Sequence, residues 1–501
     1  MKGISARIFK SRRTPESSAR CGRCIVEPLE CRRLLTNTLQ ITIPAQVTSI
    51  TAKDLQNVGI QFQLRDLPGT LTLTGENLAA QTVGKNVTVT GNVSRIDDLS
   101  VFNTTPASSL MVKGPAGAIP LVSFESTGPM KMIDIHPFLI DGPVNIVAAP
   151  KMQFGDGMAS TINITQNIPL VNFTGGSFSN SQINFIKGNS APSIPAVMIK
   201  LNNLTDTQLN ADGFIKMLNL HSITESAPGA SGITANSAGM FKVSADYKAN
   251  FTLKPTFGLR YTLNSYAIGG TASGTWNIPG TTRMGSANTY DSGYSAKFDS
   301  IGTYLVTKDF SGSLTAGAIG NASIGRNMVG GTFNLTNPFA ANSWNLGSLK
   351  VSNSIENSTI TSQGNLGNIQ TMFTYYSHIQ AGINPNYVFG QPPTTDWYTS
   401  NSSIKSFISD CPSHHKIHFV GSYVGAYDLQ SILIGNVQDQ NFGSPFGVAG
   451  VRIDKYSVLL NNKLFKLSGL NSLAGYDSGL QKYGLTEQDL VDFRTLFLNG
   501  G

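Results

Sequence analysis

The chain has 501 residues, of which 40% are hydrophobic and 13% charged, against about 25% charged in an ordinary globular protein; it contains no run of about 18 apolar residues, so no transmembrane helix is expected. Its formal charge is +7, but nine Lys/Arg and three Glu in residues 1–35 account for +6 of that. The rest is nearly neutral, lacks the basic footprint that phosphate-backbone binding needs, and excludes a nucleic-acid partner.

Residues 1–35 are basic and Ser-rich, without the apolar core of an ordinary secretory signal. Three of the four cysteines, Cys21, Cys24 and Cys31, lie here. They fall one ligand short of a structural zinc set, with no His nearby, so a flexible leader containing cysteines is the expectation. With only Cys411 remaining, the body has no disulfide framework. The leader ends on Val26-Glu27-Pro28-Leu29-Glu30-Cys31-Arg32-Arg33-Leu34-Leu35. Leu29, Glu30, Arg32, Leu34 and Leu35 sit as in the LEPR-xLL leader of large surface and secreted proteins of planctomycete bacteria, which this segment resembles; Cys31 stands where that motif has Pro. The resemblance implies export and an extracellular or cell-surface location. It implies no particular chemistry.

From Thr36 onward the same local pattern returns. Apolar residues alternate over four to six positions and then meet Gly, Asn or Ser, as in Leu71-Thr72-Leu73-Thr74-Gly75, Ile162-Asn163-Ile164-Thr165 and Val171-Asn172-Phe173-Thr174-Gly175. Period-two alternation gives each strand one buried face, and Gly or Asn supplies the positive φ of an abrupt turn. A repeat is clearest between residues 319 and 382. Ile319-Gly320, Leu346-Gly347 and Leu366-Gly367 each open a short strand, and each is followed by a second strand-like piece, at 331–335, 358–361 and 377–382. A period of roughly 20 with loop insertions is that of a solenoid, and the pattern is similar to the repeats of bacterial right-handed β-helix surface proteins. The expected fold class is therefore all-β, a right-handed parallel β-helix with irregular coils. About 350 residues in coils of roughly 20, stacked about 4.8 Å apart, would give around 17 coils over about 80 Å. A set of β-sandwiches is the competing architecture.

The expected organisation is a leader at 1–35, a solenoid at 36–382, a Pro-rich excursion at 383–402, further coils at 403–468 and a cap at 469–501. Pro385, Pro392 and Pro393 exclude a central strand from the excursion. In the cap, Thr486 with Asp489 resembles a capping box, and Leu490, Phe493, Leu496 and Phe497 share one helical face, which predicts a short amphipathic helix over residues 490–497 that closes the open end.

Candidate chemistry is sparse. Asp97-Asp98 could supply the acid and base of a carbohydrate-active β-helix enzyme, but no Asn-Thr-Asp, His-Gly or Arg-x-Lys element accompanies them, and a solvated turn is the simpler reading. Cys411, His414 and His418 could hold a metal, yet residues 416–420 read as a strand, which sets His414 and His418 some 13 Å apart. No cofactor is expected. Trp276, Trp344 and Trp397 could stack on sugars or simply pack. Two functional readings follow: a non-enzymatic surface or matrix protein, adhesive or architectural, with cell-surface polysaccharide or other envelope proteins as partners; or a polysaccharide lyase or hydrolase. Three or more ionisable groups on one lateral face beside a cleft would favour the enzyme, and a neutral Asn/Ser/Thr face the structural role.

Overall fold

The computed structural model describes residues 36–498 apart from 118, 192–193, 255–259, 338–343, 385–397, 399–401, 411–415 and 461–462. The chain is 66% strand and 3% helix, wound into a β-solenoid of about 14 turns. Each coil contributes up to three short strands, and each strand pairs in parallel with its equivalent one coil on. On one face the inward residues Phe124, Val144, Ile162, Ile183, Leu209, Ile233, Phe251 and Trp276 stack in register. A second face aligns Leu110, Ile133, Met152, Phe173, Ile199, Leu218, Phe241 and Tyr266. The third runs from Leu121 through Ile140, Gly157, Phe178 and Leu204 to Ile223 and Tyr247. One coil cannot shield these side chains; stacking buries each row against the next, at about 1.5–3 kcal/mol for a fully buried aliphatic or Phe side chain.

The Gly-apolar repeat is the register of the stack itself. Ile319 pairs with Leu346, Leu346 with Leu366, and Leu366 with Ile404. Gly320, Gly347 and Gly367 form a column in which a Cβ would collide with the backbone carbonyl of the glycine one coil earlier. The second strand pieces stack too: Phe333, Ile360, Ile379, Val424 and Val448 are successive partners. The array therefore continues past the excursion, with Ser403–Ser409 resuming the pairing on Asn365–Thr371. Of the excursion itself, Ile383 bridges Tyr398, whereas Pro385, Pro392 and Pro393 lie outside the described residues. Fewer coils form than the expected 17 because many are longer than 20 residues: equivalent positions are 21, 26, 27 and 45 residues apart at four successive-coil contacts.

A second repeat lies at one corner. A residue with positive φ (Ala159, Asn180, Asp206, Asn357 or Tyr376) precedes a buried Ser or Thr (Ser160, Ser181, Thr207, Ser358 or Ser377). The hydroxyl donates to the carbonyl two residues back, as Ser181 does to Ser179, Thr207 to Thr205 and Ser377 to Tyr375 at 2.7–2.8 Å. The same oxygen accepts the corner N–H of the neighbouring coil: Ser358 N donates to Ser377 Oγ at 3.1 Å, and Ser377 N to Ser422 Oγ at 3.0 Å. A corner breaks the strand ladder and would strand a buried N–H; the hydroxyl satisfies it.

Both ends depart from parallel stacking. At the start, Thr36–Ile43 pairs antiparallel with Gly69–Val83, which pairs antiparallel with Asn86–Val101. Ser49–Lys53, Gly59–Arg65 and Ser109–Lys113 form a second antiparallel set. At the far end, Arg452–Leu460 and Lys463–Leu470 form a hairpin, and a helix at Leu473–Gln481, capped by Ser472, buries Tyr476 and Leu480. The cap is thus helical, but the helix is not at residues 490–497. Thr486 and Asp489 do form the capping box, on a single 3-10 turn, Glu487–Leu490. Phe493–Phe497 is instead a strand paired in parallel with Phe446–Gly450. Phe493 and Thr495 point inward, a period-two pattern that the helical reading overlooked, and pairing covers the otherwise open edge of the last coil.

Candidate functional site

Asp97 and Asp98 lie on the outward side of Asn86–Val101. They are consecutive and both outward because Ile96 pairs with Leu73 and Asp98 with Thr72, leaving Asp97 as the extra residue of a β-bulge. Each carboxylate is held locally. Arg95 Nε donates to Asp97 at 2.6 Å, Thr74 Oγ1 donates to Asp97 at 2.5 Å, and Ser100 Oγ donates to Asp98 at 2.8 Å. The bulge accounts for two consecutive carboxylates on one outward face.

His418 is fully buried. Its ring meets Phe373 edge-on at 5.5 Å. Nδ1 lies 3.2 Å from Asp410 Oδ1, within ion-pair reach though not aligned as a hydrogen bond. Gly435 makes the space, since a Cβ there would overlap the imidazole. Asp410 and Gly435 border a cavity of about 480 Å³ with Leu433, Leu459 and Lys466. Cys411 and His414 lie outside the described residues, as do the leader residues Leu29, Glu30, Arg32, Leu34 and Leu35. Among the described residues no three His, Cys, Asp or Glu side chains gather as a metal site. Trp276 is a core residue, 1% exposed; Trp344 is half-buried on the surface, with Lys405 Nζ 6.0 Å from its ring; Trp397 lies outside the described residues.

Sequence reasoning missed a cleft of about 740 Å³ near the N-terminal end. Its floor is the antiparallel set Ser49–Lys53, Gly59–Arg65 and Ser109–Lys113. Alternation buries Ala52, Ile60 and Val112 and turns Thr51, Gln61 and Lys113 outward in one cross-strand row. Lys53 pairs with Gly59 at the end of the floor. Thr88 and Thr90, on the neighbouring hairpin, form a wall, and Thr88 continues the row beside Thr51. The hairpin bends at Asn77 and Gly91, both at positive φ; at Gly91 a side chain would strike the carbonyls of Glu76 and Asn77. No carboxylate lines the cleft. Asp54, next in sequence to Lys53, is buried, and its carboxylate accepts the N–H groups of Gln56 and Val58 at 2.9 and 2.8 Å. Among the described residues neither Lys53 nor Lys113 forms a salt bridge. Nothing in the sequence brings these two lysines together; only the antiparallel pairing does.

Elsewhere the lateral surface carries neutral ladders. Asn163 donates to Asn145 at 2.8 Å, Asn184 to Asn163 at 2.8 Å and Asn210 to Asn184 at 2.9 Å. No helix among the described residues is long and apolar enough to cross a membrane. No family model matches the chain, and neither a curated protein nor a solved structure shows significant similarity to it.

Proposed function

We propose that the protein is an exported, non-enzymatic β-solenoid of the cell surface or extracellular matrix, with an adhesive or architectural role. The observation that carries this reading is the axial amide ladder Asn145–Asn163–Asn184–Asn210. Amides bonded along the axis satisfy one another, present a neutral face and stiffen the stack, as in other cross-strand Asn ladders. About 14 turns at about 4.8 Å each give an axis of about 70 Å, enough to hold a surface away from an envelope without a large globular core. The leader's resemblance to the LEPR-xLL segment of planctomycete surface proteins supports export. The local partners of Asp97 and Asp98 favour the structural role over a lyase or hydrolase.

Expression of the full chain in a planctomycete host, beside a variant with Arg32, Leu34 and Leu35 changed to Ala, tests export. Surface protease accessibility of the unaltered chain, lost in the variant, is expected. Retention of both proteins inside the cell would overturn the reading. So would a polysaccharide-cleaving activity of the purified chain that disappears when Asp97 and Asp98 are both changed to Asn.

A further inference from the structure

We infer that the cleft beneath the N-terminal hairpin binds an acidic polysaccharide, one carrying carboxylate or sulfate groups on successive sugar units; this deepens the adhesive reading and rests on it. Three features point to that ligand. First, the cleft of about 740 Å³ falls within the roughly 300–1,000 Å³ range of ligand sites. Second, its only charged lining groups are Lys53 and Lys113, which form no salt bridge with any described residue. On a body whose formal charge is otherwise close to zero, two uncompensated ammonium groups in one concavity select an anion. Third, the cross-strand row that ends on Lys113 and passes two residues along the strand from Lys53 is neutral and rich in hydrogen-bonding groups: Gln61 beside Lys113, Thr51 beside Gln61 and Thr88 beside Thr51. Amides and hydroxyls complement sugar hydroxyls, which both donate and accept.

The register sets the spacing. Lys53 and Lys113 lie on the two strands flanking the same central strand, opposite Gly59 and Gln61, which places their Cα atoms about 12 Å apart from the strand spacing and rise. Cations so separated, with neutral groups between, suit a chain of repeating anions better than one point charge. A single-stranded nucleic acid is also a repeating anion, but no aromatic side chain lines the cleft to stack a base.

The test is calorimetric titration of the full chain with oligogalacturonate, with a sulfated dextran oligomer, with neutral dextran of equal length and with oligo-dT. The Lys53→Gln/Lys113→Gln variant is titrated in parallel, and thermal unfolding of both proteins is followed. The expected result is binding of one or both acidic glycans and none of neutral dextran. The double variant should lose at least tenfold in affinity while its melting temperature is unchanged. The two glycans separate the carboxylate source from the sulfate source. Residues 1–35 carry a formal charge of +6, so binding that survives the double variant undiminished assigns it away from the cleft and overturns the proposal. Equal binding of neutral dextran, tighter binding of oligo-dT, or no binding at all also overturns it. These outcomes leave surface exposure of the chain untouched, so failure of the ligand assignment is distinguishable from failure of the export reading.

Discussion

Two stretches of the same solenoid fill their interiors differently. Over residues 143–253 the stacked inward residues are chiefly Ile, Val, Leu and Phe, and at one corner and on the outer face hydroxyls and amides pair from coil to coil. In the successive coils of Leu263–Val306 the core is aromatic and partly polar. Trp276 packs against Tyr266 and Tyr294 with ring centroids 5.1 and 5.4 Å away, and Tyr290 stacks on Tyr304 at 5.1 Å. All four tyrosines are fully buried. Tyr266 and Tyr290 join hydroxyls at 3.0 Å, while Tyr294, Tyr304 and the Trp276 indole N–H have no aligned hydrogen bond. The backbone ladder tolerates both interiors. Both stretches bury a few polar atoms without an aligned partner, Gln166 Oε1 and Ser237 Oγ in the first and the Tyr294 and Tyr304 hydroxyls in the second; the difference lies in the side chains that fill the core, aliphatic with Phe in the first and Trp and Tyr in the second.

The strongest way to break the comparison is Trp276→Ala. Trp276 also touches Phe241, Tyr247 and Phe251, so it joins the aliphatic coils to the tyrosine coils. The truncation is expected to cost about 3–5 kcal/mol in denaturant unfolding and to split the transition if the two stretches then melt separately. A single transition with an unchanged midpoint would show that the indole is not the junction.

Next in size is Ser377→Ala. It removes the acceptor of the Ser358 N–H and the donor to the Ile355 and Tyr375 carbonyls, all at a buried corner. A loss of about 1–3 kcal/mol is expected, and Ser377→Thr, which keeps the hydroxyl, should recover most of it. Equal loss in both variants would assign the effect to packing alone.

The smallest change at neutral pH is Tyr304→Phe, within about 1 kcal/mol, because the lost hydroxyl has no aligned partner. Its signature is in alkali. Burial first, then the neighbouring tyrosines, holds the Tyr304 hydroxyl well above its ordinary pKa of 10.0. The unfolded chain therefore releases this proton near pH 10 while the folded chain keeps it, so stability is intact below pH 10 and falls as pH rises above it. Phe removes that loss. The stability of Tyr304→Phe relative to the unaltered chain should thus be more favourable at pH 11 than at pH 8 by denaturant titration; an equal difference at both would contradict the buried-hydroxyl account.

Much of the fold was legible in the sequence because a solenoid is a local repeat. Leu71-Thr72-Leu73 and Ile162-Asn163-Ile164 announce strands with one buried face, and the Gly-apolar pairs at 319, 346 and 366 lie in register. The corner signature, a positive-φ residue followed by Ser or Thr, was also present but went unread, because Asn180-Ser181 and Tyr376-Ser377 share no residue at the first position; what they share is a backbone angle. The candidate site was not legible. Asp97-Asp98 drew notice as a pair, and only the bulge shows why both face outward; Lys53 and Lys113 are separated by a whole hairpin in sequence.

The sequence by itself determined the alternation, the turns and hence a stack of short strands, since these depend on side-chain polarity and φ preference within a few residues. Only the tertiary structure decided what happens where the repeat ends. Residues 493–497 can lie as a helix or as a strand by local pattern, and the unpaired edge offered by Phe446–Gly450 selects the strand. Likewise, the antiparallel start at Thr36–Ile43 and Gly69–Val83 departs from the repeat, and the second antiparallel set, Ser49–Lys53 with Gly59–Arg65 and Ser109–Lys113, brings two distant lysines to one cleft. Edges and clefts depend on long-range pairing, where one hydrogen-bonded neighbour outweighs the propensity of a five-residue segment.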